Sequence, residues 1–525
     1  MKLVFVNIMQ ELHRFDSTSY ITQPPVPLAV LNGVTPPAIE TGLLDEQTHA
    51  IRFEGDVFAF TLSTQYARKV YRYADALRAD GKKVILGGIH PTVCPEEAMR
   101  HADAIVTGEA ELLWPTVCDD LLGGRLQPRY DGSPTPPSRM RPIDYRFFGE
   151  RRYLTPASLF ATRGCNRRCS FCVSSRYMGP FRTKPLDVLE REMDQLQELY
   201  PAAFLQFTDD NLLADREYAT ALLDLVRQKR RRFVTMVTVD QFCDTTLLEE
   251  MASAGCLGVA VGLEPVDDDN CVAVRKFQNV GKSFPEAVRR ANDLGIQVCG
   301  LIMLGLPHDT PDRLAATLRR LEEIPCSLYD LRTLRLYPST SLYRDMLPRG
   351  KVIPEWWLTE ETEPGNRLLP GCLGVHYHHD HFAPMQLQHW ALRFTIELGH
   401  MRPAAVANVV RIARRGRGLK FAGLLLAARQ RGAKQARMLL ARLEEAMAAN
   451  GEPPREETTA RQAVAQPLLS SVAESSPATL CGSCSDCSPP ASELARPAAA
   501  QEAKGEREQQ AWPRLPSVVQ PTHRN

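Results

Sequence analysis

The sequence lacks any run of about 18 apolar residues, the length a membrane-spanning helix requires. Its first apolar stretch, residues 2–9, is too short for a secretory leader, and no small-residue cleavage site follows. It also lacks charge of one sign: the formal net charge is +1 over 525 residues, so bulk charge points to neither a nucleic acid nor a membrane surface as partner. No repeat of solenoid period is present. Nor is there a disulfide framework, because the 14 cysteines are scattered singly apart from two triplets. Reduced thiols of this kind suit the cytoplasm.

The first triplet is Cys165, Cys169 and Cys172, in RGCNRRCSFC over residues 163–172. Three thiolates at C-x3-C-x2-C can hold three irons of a [4Fe-4S] cube and leave the fourth without a protein ligand. Zinc sites more often use four protein ligands. The Arg, Asn and Ser neighbours argue against three ordinary packing cysteines. An apolar run over 158–161 precedes the triplet and reads as a strand. The motif, with Phe171 before its last cysteine, resembles the signature of the radical S-adenosylmethionine (SAM) superfamily. The resemblance implies that the open iron chelates the amino and carboxylate groups of SAM. An electron from a reductant such as flavodoxin or ferredoxin then cleaves a carbon–sulfur bond, releasing a 5'-deoxyadenosyl radical.

From about 155 to 345 the pattern alternates strand and helix six times. Strands are expected at 158–163, 203–208, 232–239, 257–263, 296–304 and 331–337, and helices at 185–199, 216–229, 245–254, 285–294 and 311–323. Ser283 and Thr310 stand as N-caps of the last two. Parallel strands with helices outside predict a partial (β/α)6 barrel, TIM-like, with its site at the strand C-termini. Those ends carry Thr208, Asp209 and Asp210, then Glu264, then Gly300 and Gly305, and finally Tyr337-Pro-Ser-Thr340. Acceptors suit an ammonium, although Asp and Asn are also helix caps. By the resemblance, the first group faces the SAM amino group, Glu264 faces its ribose or methionine part, and the glycines admit adenine. Related sequences of the class described next often carry Pro-Gly-Thr where Ser339 stands.

Residues 1–140 also alternate strands (2–8, 57–61, 83–86, 104–106) with a helical pattern over 66–79. This predicts an α/β, doubly wound, flavodoxin-like domain with its crevice at the strand C-termini. There lie Ser63 and Thr64, Gly87 and Gly88, His90, Gly108 and Glu109. Together with the core behind it, this domain is similar to the B12-binding class of radical SAM enzymes, over about residues 1–345. In that class these loops hold cobalamin. The D-x-H-x-x-G motif that supplies a cobalt-ligating histidine elsewhere is absent: Asp45 and His49 are four apart and do not fit it. His90 is a candidate ligand, or simply a loop histidine bonded to backbone.

Beyond 345 the resemblance fades. Trp356 and Trp357 read as packing, and the tract over 376–381 as a polar loop rather than a metal site, because adjacent histidines cannot all face one ion. Residues 401–443 hold eleven Lys or Arg and no acid. They read as basic amphipathic helices of a 346–449 helical region, lying either on the barrel or against a membrane surface. Residues 450–525 have the composition of a disordered tail. They carry the second triplet, Cys481, Cys484 and Cys487, which can take a second cluster, a soft metal or a thiophilic metalloid. The expected function is that of a radical SAM enzyme with cobalamin that methylates an unactivated carbon of a small molecule or lipid, with no nucleic-acid partner. Cyclisation, aminocarboxypropyl transfer to an acceptor such as arsenite held by the tail cysteines, and a non-catalytic cofactor sensor are the other readings.

Overall fold

The structure is a computed structural model. It describes residues 1–9, 22–177, 179–264, 266–359, 366, 369, 373–399, 403–416 and 418–452. The 453–525 segment, with Cys481, Cys484 and Cys487, lies outside the described residues.

The first sheet is six-stranded and wholly parallel: β1 (Lys2–Asn7), β2 (Glu40–Asp45), β3 (Val57–Thr61), β4 (Lys83–Gly87), β5 (Ala104–Thr107) and β6 (Arg129–Asp131), in the order β2-β1-β3-β4-β5-β6. Strand alternation explains its two cores. Val4, Val6, Phe58 and Phe60 face one side, covered by the helix Ala67–Ala79 and by Trp357. Leu3, Phe5, Val57 and Ile85 face the other, against Trp114. The two edge strands have no sequence-level expectation behind them. β2 is half-exposed, without a clean apolar alternation, and β6 has three residues.

The second sheet carries β7 (Ser158–Leu159), then, after the hairpin β8 (Thr162–Arg163) and β9 (Arg182–Thr183), β10 (Leu205–Phe207), β11 (Phe233–Val237), β12 (Cys256–Gly262), β13 (Gln297–Leu304) and β14 (Leu328–Thr333). Its order is β7-β10-β11-β12-β13-β14, all parallel, and five helices lie at the expected places to within two residues. Thr310 caps its helix through Arg313 N, whereas Ser283 makes no side-chain cap bond.

Two strands differ from expectation. The 158–163 strand breaks at Phe160, because the amides of Ala161 and Thr162 donate to the Asp209 carboxylate instead of to a neighbouring strand. The last strand lies at 328–333 rather than 331–337, and the Leu336 carbonyl accepts from the Trp356 indole.

The basic helices Pro403–Gly416 and Leu419–Ala449 pack on the barrel at the N-terminal ends of its strands. Gln297 donates to the Val409 carbonyl (2.9 Å), Phe421 lies edge-on to Phe204 (5.4 Å between ring centres), and Arg429 donates to Ser327 O (3.0 Å). Val409, Ile412, Leu439 and Leu443 are buried there. Part of the apolar side expected for a membrane surface is therefore taken up within the protein, while Leu419 and Met438 stay exposed. No helix among the described residues is long and apolar enough to cross a membrane.

Candidate active site

The three cysteines lie on the 164–181 loop between β8 and β9, at the C-terminal end of β7. Gly164 must turn there with φ +76°. A Cβ on it would meet the Gly179 and Pro180 carbonyl oxygens at 2.8 and 2.9 Å. The loop is tied at several points. Asp209 accepts from Ala161 N (2.9 Å), Thr162 N and Thr162 Oγ1 (2.7 Å). Ser174 donates to Asp210 (2.7 Å), and Ser170 N donates to Val274 O (2.9 Å). The Phe171 side chain packs on the barrel core.

Burial raises the Cys165 thiol, opposed by donors from Arg167 N and Asn211. Among the described residues no three His, Cys, Asp or Glu side chains converge on one point, the cysteines included. Ligands of a cube each take a separate iron, so convergence is not their geometry.

The SAM-facing expectations divide. Thr208 is exposed at the end of β10 and donates to Leu159 O. Asp209 is 2% exposed; its Oδ1 takes all three bonds that hold the cysteine loop, while its Oδ2 is buried without a partner, so it positions the loop and keeps one acceptor open. Burial pushes it up to about 6, against the pull of its Thr162 bonds. Glu264 is buried at the end of β12. One oxygen takes Lys276 Nζ (3.0 Å) and the other, Oε2, has no partner. Burial raises its pKa, against the Lys276 charge. An unsatisfied buried acceptor at a strand C-terminus fits a donor-rich ligand such as SAM.

The glycines do not behave as expected. Gly300 shares the face of Val298 and Ile302, which is core, and its missing Cβ is covered by Leu263 and Tyr329 at 2.9 Å. Gly305 turns at φ +83° beneath Leu387 and Tyr377. Both serve packing. Met236, 40% exposed on the face of β11 opposite Phe233 and Val237, lines the barrel interior instead. Single-strand alternation was the signal that could have found it.

In the N-terminal domain His90 is fully buried on a short helix, Ile89–Val93. Its Nδ1 meets Thr64 Oγ1 (3.3 Å) and its Nε2 meets Glu97 Oε1 (2.9 Å). Trp357 Nε1 also donates to Glu97 (3.1 Å). With both ring nitrogens engaged by the Thr64 and Glu97 side chains, His90 leaves none open to a cobalt ion and is not bonded to backbone through its ring. Gly88 (φ +100°) and Gly108 (φ +67°) are forced by close backbone: a Cβ would meet Leu62 N at 2.9 Å and Gly132 O at 2.5 Å. Gly87 differs, since a Cβ there would meet nothing nearer than 3.7 Å. Half-buried Ser63 and Gly87, at the ends of β3 and β4, leave a small-walled polar rim that fits the edge of a large planar group.

Glu109 accounts for a contact that sequence reasoning missed. It accepts from Arg163 Nη1 (3.0 Å), from Arg182 Nη1 (3.1 Å) and Nη2 (2.5 Å), and from Thr135 N (2.7 Å). Arg163 also bonds Glu111. The residue immediately before the cysteine loop is thus clamped to the N-terminal domain. The expected cofactor contact at Glu109 is occupied by this clamp.

In the histidine tract, the side chains of His376 and His379 are engaged with their own chain. His376 is buried and stacked on Trp356 (4.4 Å between ring centres), while His379 meets Leu306 O (2.9 Å).

Comparison with known proteins agrees with this architecture. Residues 159–321 match the radical SAM superfamily model, and residues 44–117 match the B12 binding domain model. The chain is 28% identical to bacteriochlorophyllide d C-8(2)-methyltransferase of Chlorobaculum tepidum over 349 residues, which covers 63% of this chain and 77% of the relative. It is 26% identical to the C-12(1)-methyltransferase of the same organism over 302 residues, 56% of this chain and 66% of that one. In fold it is similar to the radical SAM methyltransferase TsrM of Kitasatospora setae, solved with cobalamin and a [4Fe-4S] cluster. The TM-score is 0.58 at 17% identity, covering 85% of this chain and 99% of TsrM.

Proposed function

We propose that this chain is a radical SAM enzyme that carries a B12-binding domain and that it methylates an unactivated carbon of a small, largely apolar molecule. A tetrapyrrole is the first class to try, because two relatives at 28% and 26% identity are bacteriochlorophyllide methyltransferases. When bound, the cluster and cobalamin supply one-electron cleavage of SAM and carriage of a methyl group. Cys165, Cys169 and Cys172 would hold the cluster, Glu264 and Thr208 would meet SAM, and the rim at Ser63 and Gly87 would border cobalamin.

The observation that carries the reading is the clamp of Arg163 on Glu109 and Glu111. It fixes the cysteine loop against the domain that binds B12, which two sequential half-reactions on one substrate require. The exposed Met236 gives the barrel interior an apolar wall, which suits such a substrate. A reducing compartment and a one-electron donor protein complete the requirement. None of the ten described cysteines is in a disulfide, in keeping with that setting.

The test is anaerobic reconstitution with iron, sulfide and hydroxocobalamin, then turnover of a bacteriochlorophyllide with methyl-labelled SAM. The expected result is cobalt bound to the chain, and label in the product with 5'-deoxyadenosine and S-adenosylhomocysteine formed together. Cobalt bound and 5'-deoxyadenosine formed, with no label leaving SAM for any tetrapyrrole or polycyclic lipid, would overturn the methyl-transfer reading.

A further inference from the structure

Three successive strand-to-helix loops bring neutral amides to the cysteine loop. Asn211, after β10, points its Nδ2 at Cys165 Sγ (3.7 Å) and at Asn166 Oδ1 (2.9 Å). Gln241, after β11, donates its Nε2 to Asn211 Oδ1 (2.8 Å). Gln278, after β12, donates its Nε2 to Cys169 Sγ (3.5 Å). The Arg167 amide adds a second donor to Cys165 Sγ (3.5 Å).

The orientation of the Asn211 amide follows from its neighbours. Thr238 N, a backbone donor, bonds Gln241 Oε1 at 3.0 Å. That leaves only Nε2 of Gln241 to face Asn211, and Nε2 can only donate. Asn211 must therefore present Oδ1 to Gln241 and Nδ2 to the sulfur. Asn211 is 1% exposed and Gln241 9%, so the relay stands in a medium where such dipoles act strongly. Neither amide is used by the binding roles above.

We infer that Gln241 and Asn211 form a relay that aims a fixed N–H at the Cys165 sulfur and raises the reduction potential of the cluster this cysteine holds, with Gln278 doing the same at Cys169. The inference rests on the reading that the three cysteines hold a [4Fe-4S] cluster. Reduction adds one negative charge to the cluster and its thiolates. A donor dipole aimed at a sulfur stabilises the reduced form more than the oxidised one, and hydrogen bonds to sulfur are among the factors that set such potentials. Gln241 touches no sulfur, so it is a positioning residue.

The experiment uses the full chain, anaerobically reconstituted with iron and sulfide, and an EPR-monitored redox titration without SAM. Asn211→Leu removes the donor at nearly constant volume, and Gln241→Leu removes the constraint on its orientation. Asn211→Leu should shift the midpoint negative by about 59 mV or more, a tenfold fall in the reduced-to-oxidised ratio at a fixed donor potential. Gln241→Leu should shift it in the same direction by less, and the double variant should equal Asn211→Leu alone. Iron per chain should match the unsubstituted protein.

An unchanged midpoint in an iron-replete Asn211→Leu, or additive shifts in the double variant, overturns the inference. If Asn211→Leu fails to hold iron, Gln241→Leu decides: an unchanged midpoint there overturns the relay, and a negative shift supports it. Failure of the unsubstituted chain to take up any cluster would overturn the proposed function instead.

Discussion

Arg163 is the residue whose replacement most directly tests how the cysteine loop is held. Its guanidinium bonds Glu109 and Glu111, and these three side chains are 9%, 10% and 14% exposed. Its CZ also lies 4.8 Å from the centre of the Phe160 ring. Arg163→Met keeps an aliphatic stem on that ring and removes the charge. Glu109 keeps Arg182, but Glu111 loses the charge it pairs with. Breaking a buried pair from one side costs about 3–5 kcal/mol. Because Arg182 remains on Glu109, the expected loss is at the low end, about 3 kcal/mol.

The assay is equilibrium urea unfolding followed by Trp fluorescence at pH 7, with Arg163→Met, Glu111→Gln and the double variant. The double variant should recover part of the loss, because it strands no charge. A loss below about 1 kcal/mol, the range of exposed pairs, would refute the claim that the clamp is buried and strong. Acid adds a second readout. Burial alone would raise the Glu109 carboxyl, but bonds from Arg182 and the Arg163 charge outweigh it and hold it below its ordinary value. A lowered folded value gives stability that is present above the unfolded value and lost as pH falls through the folded one. Arg163→Met should therefore flatten the acid limb of the stability profile.

Three other outcomes are expected. Ser339 holds φ +73°, a conformation that costs a non-glycine residue about 1–2 kcal/mol, so Ser339→Gly should stabilise the chain by about 1 kcal/mol in the same urea assay. Burial raises Asp309 to about 7, so its contribution is full at low pH and is lost as pH rises through 7, by at most about 1.4 kcal/mol per pH unit. Asp309→Asn should show a shallower fall in Tm between about pH 4 and 7 than the unsubstituted chain, and an equal fall would count against it. His90→Gln should lower stability by about 1–3 kcal/mol through Glu97. It should leave the EPR spectrum of bound cob(II)alamin unchanged, whereas an altered axial nitrogen signature would restore His90 as a ligand.

The two parallel sheets and the cysteine loop were legible because their signals are local. Apolar strands alternate with periodic helices, and C-x3-C-x2-C fixes three thiols on one loop. The edge strands β2 and β6 were not, since one lacks an apolar alternation and the other has three residues. The site residues that went astray did so for one reason: a strand-end polar residue or glycine can serve a ligand or the protein itself, and sequence does not say which. Glu109 takes Arg163 and Arg182, Gly300 is covered by Tyr329, and His90 bonds Glu97. Asn211 and Gln241 were invisible for the complementary reason, that neutral amides carry no motif and acquire meaning only from what they face.

The carboxylates of the N-terminal domain sharpen this point. Glu109 and Glu111 follow β5, and Glu97 lies in the short helix Pro95–Ala98 between β4 and β5. All three join that domain to the rest of the chain. Glu109 and Glu111 take Arg163, ahead of the first cysteine. Glu97 takes Trp357, beyond the barrel's last strand. The domain is therefore tied to the barrel at both ends of the barrel's sequence, through buried carboxylates that lose most when one partner is removed. With those acids committed, and Gly88 and Gly108 forced by their own backbone, the rim left for a corrin among the described residues is Ser63, Gly87 and the strand ends beside them. A rim of that kind would hold a corrin by shape and neutral hydrogen bonds rather than by charge. Cobalamin affinity should accordingly change little with salt, and a steep fall in affinity at high ionic strength would place the missing contacts on charged residues instead.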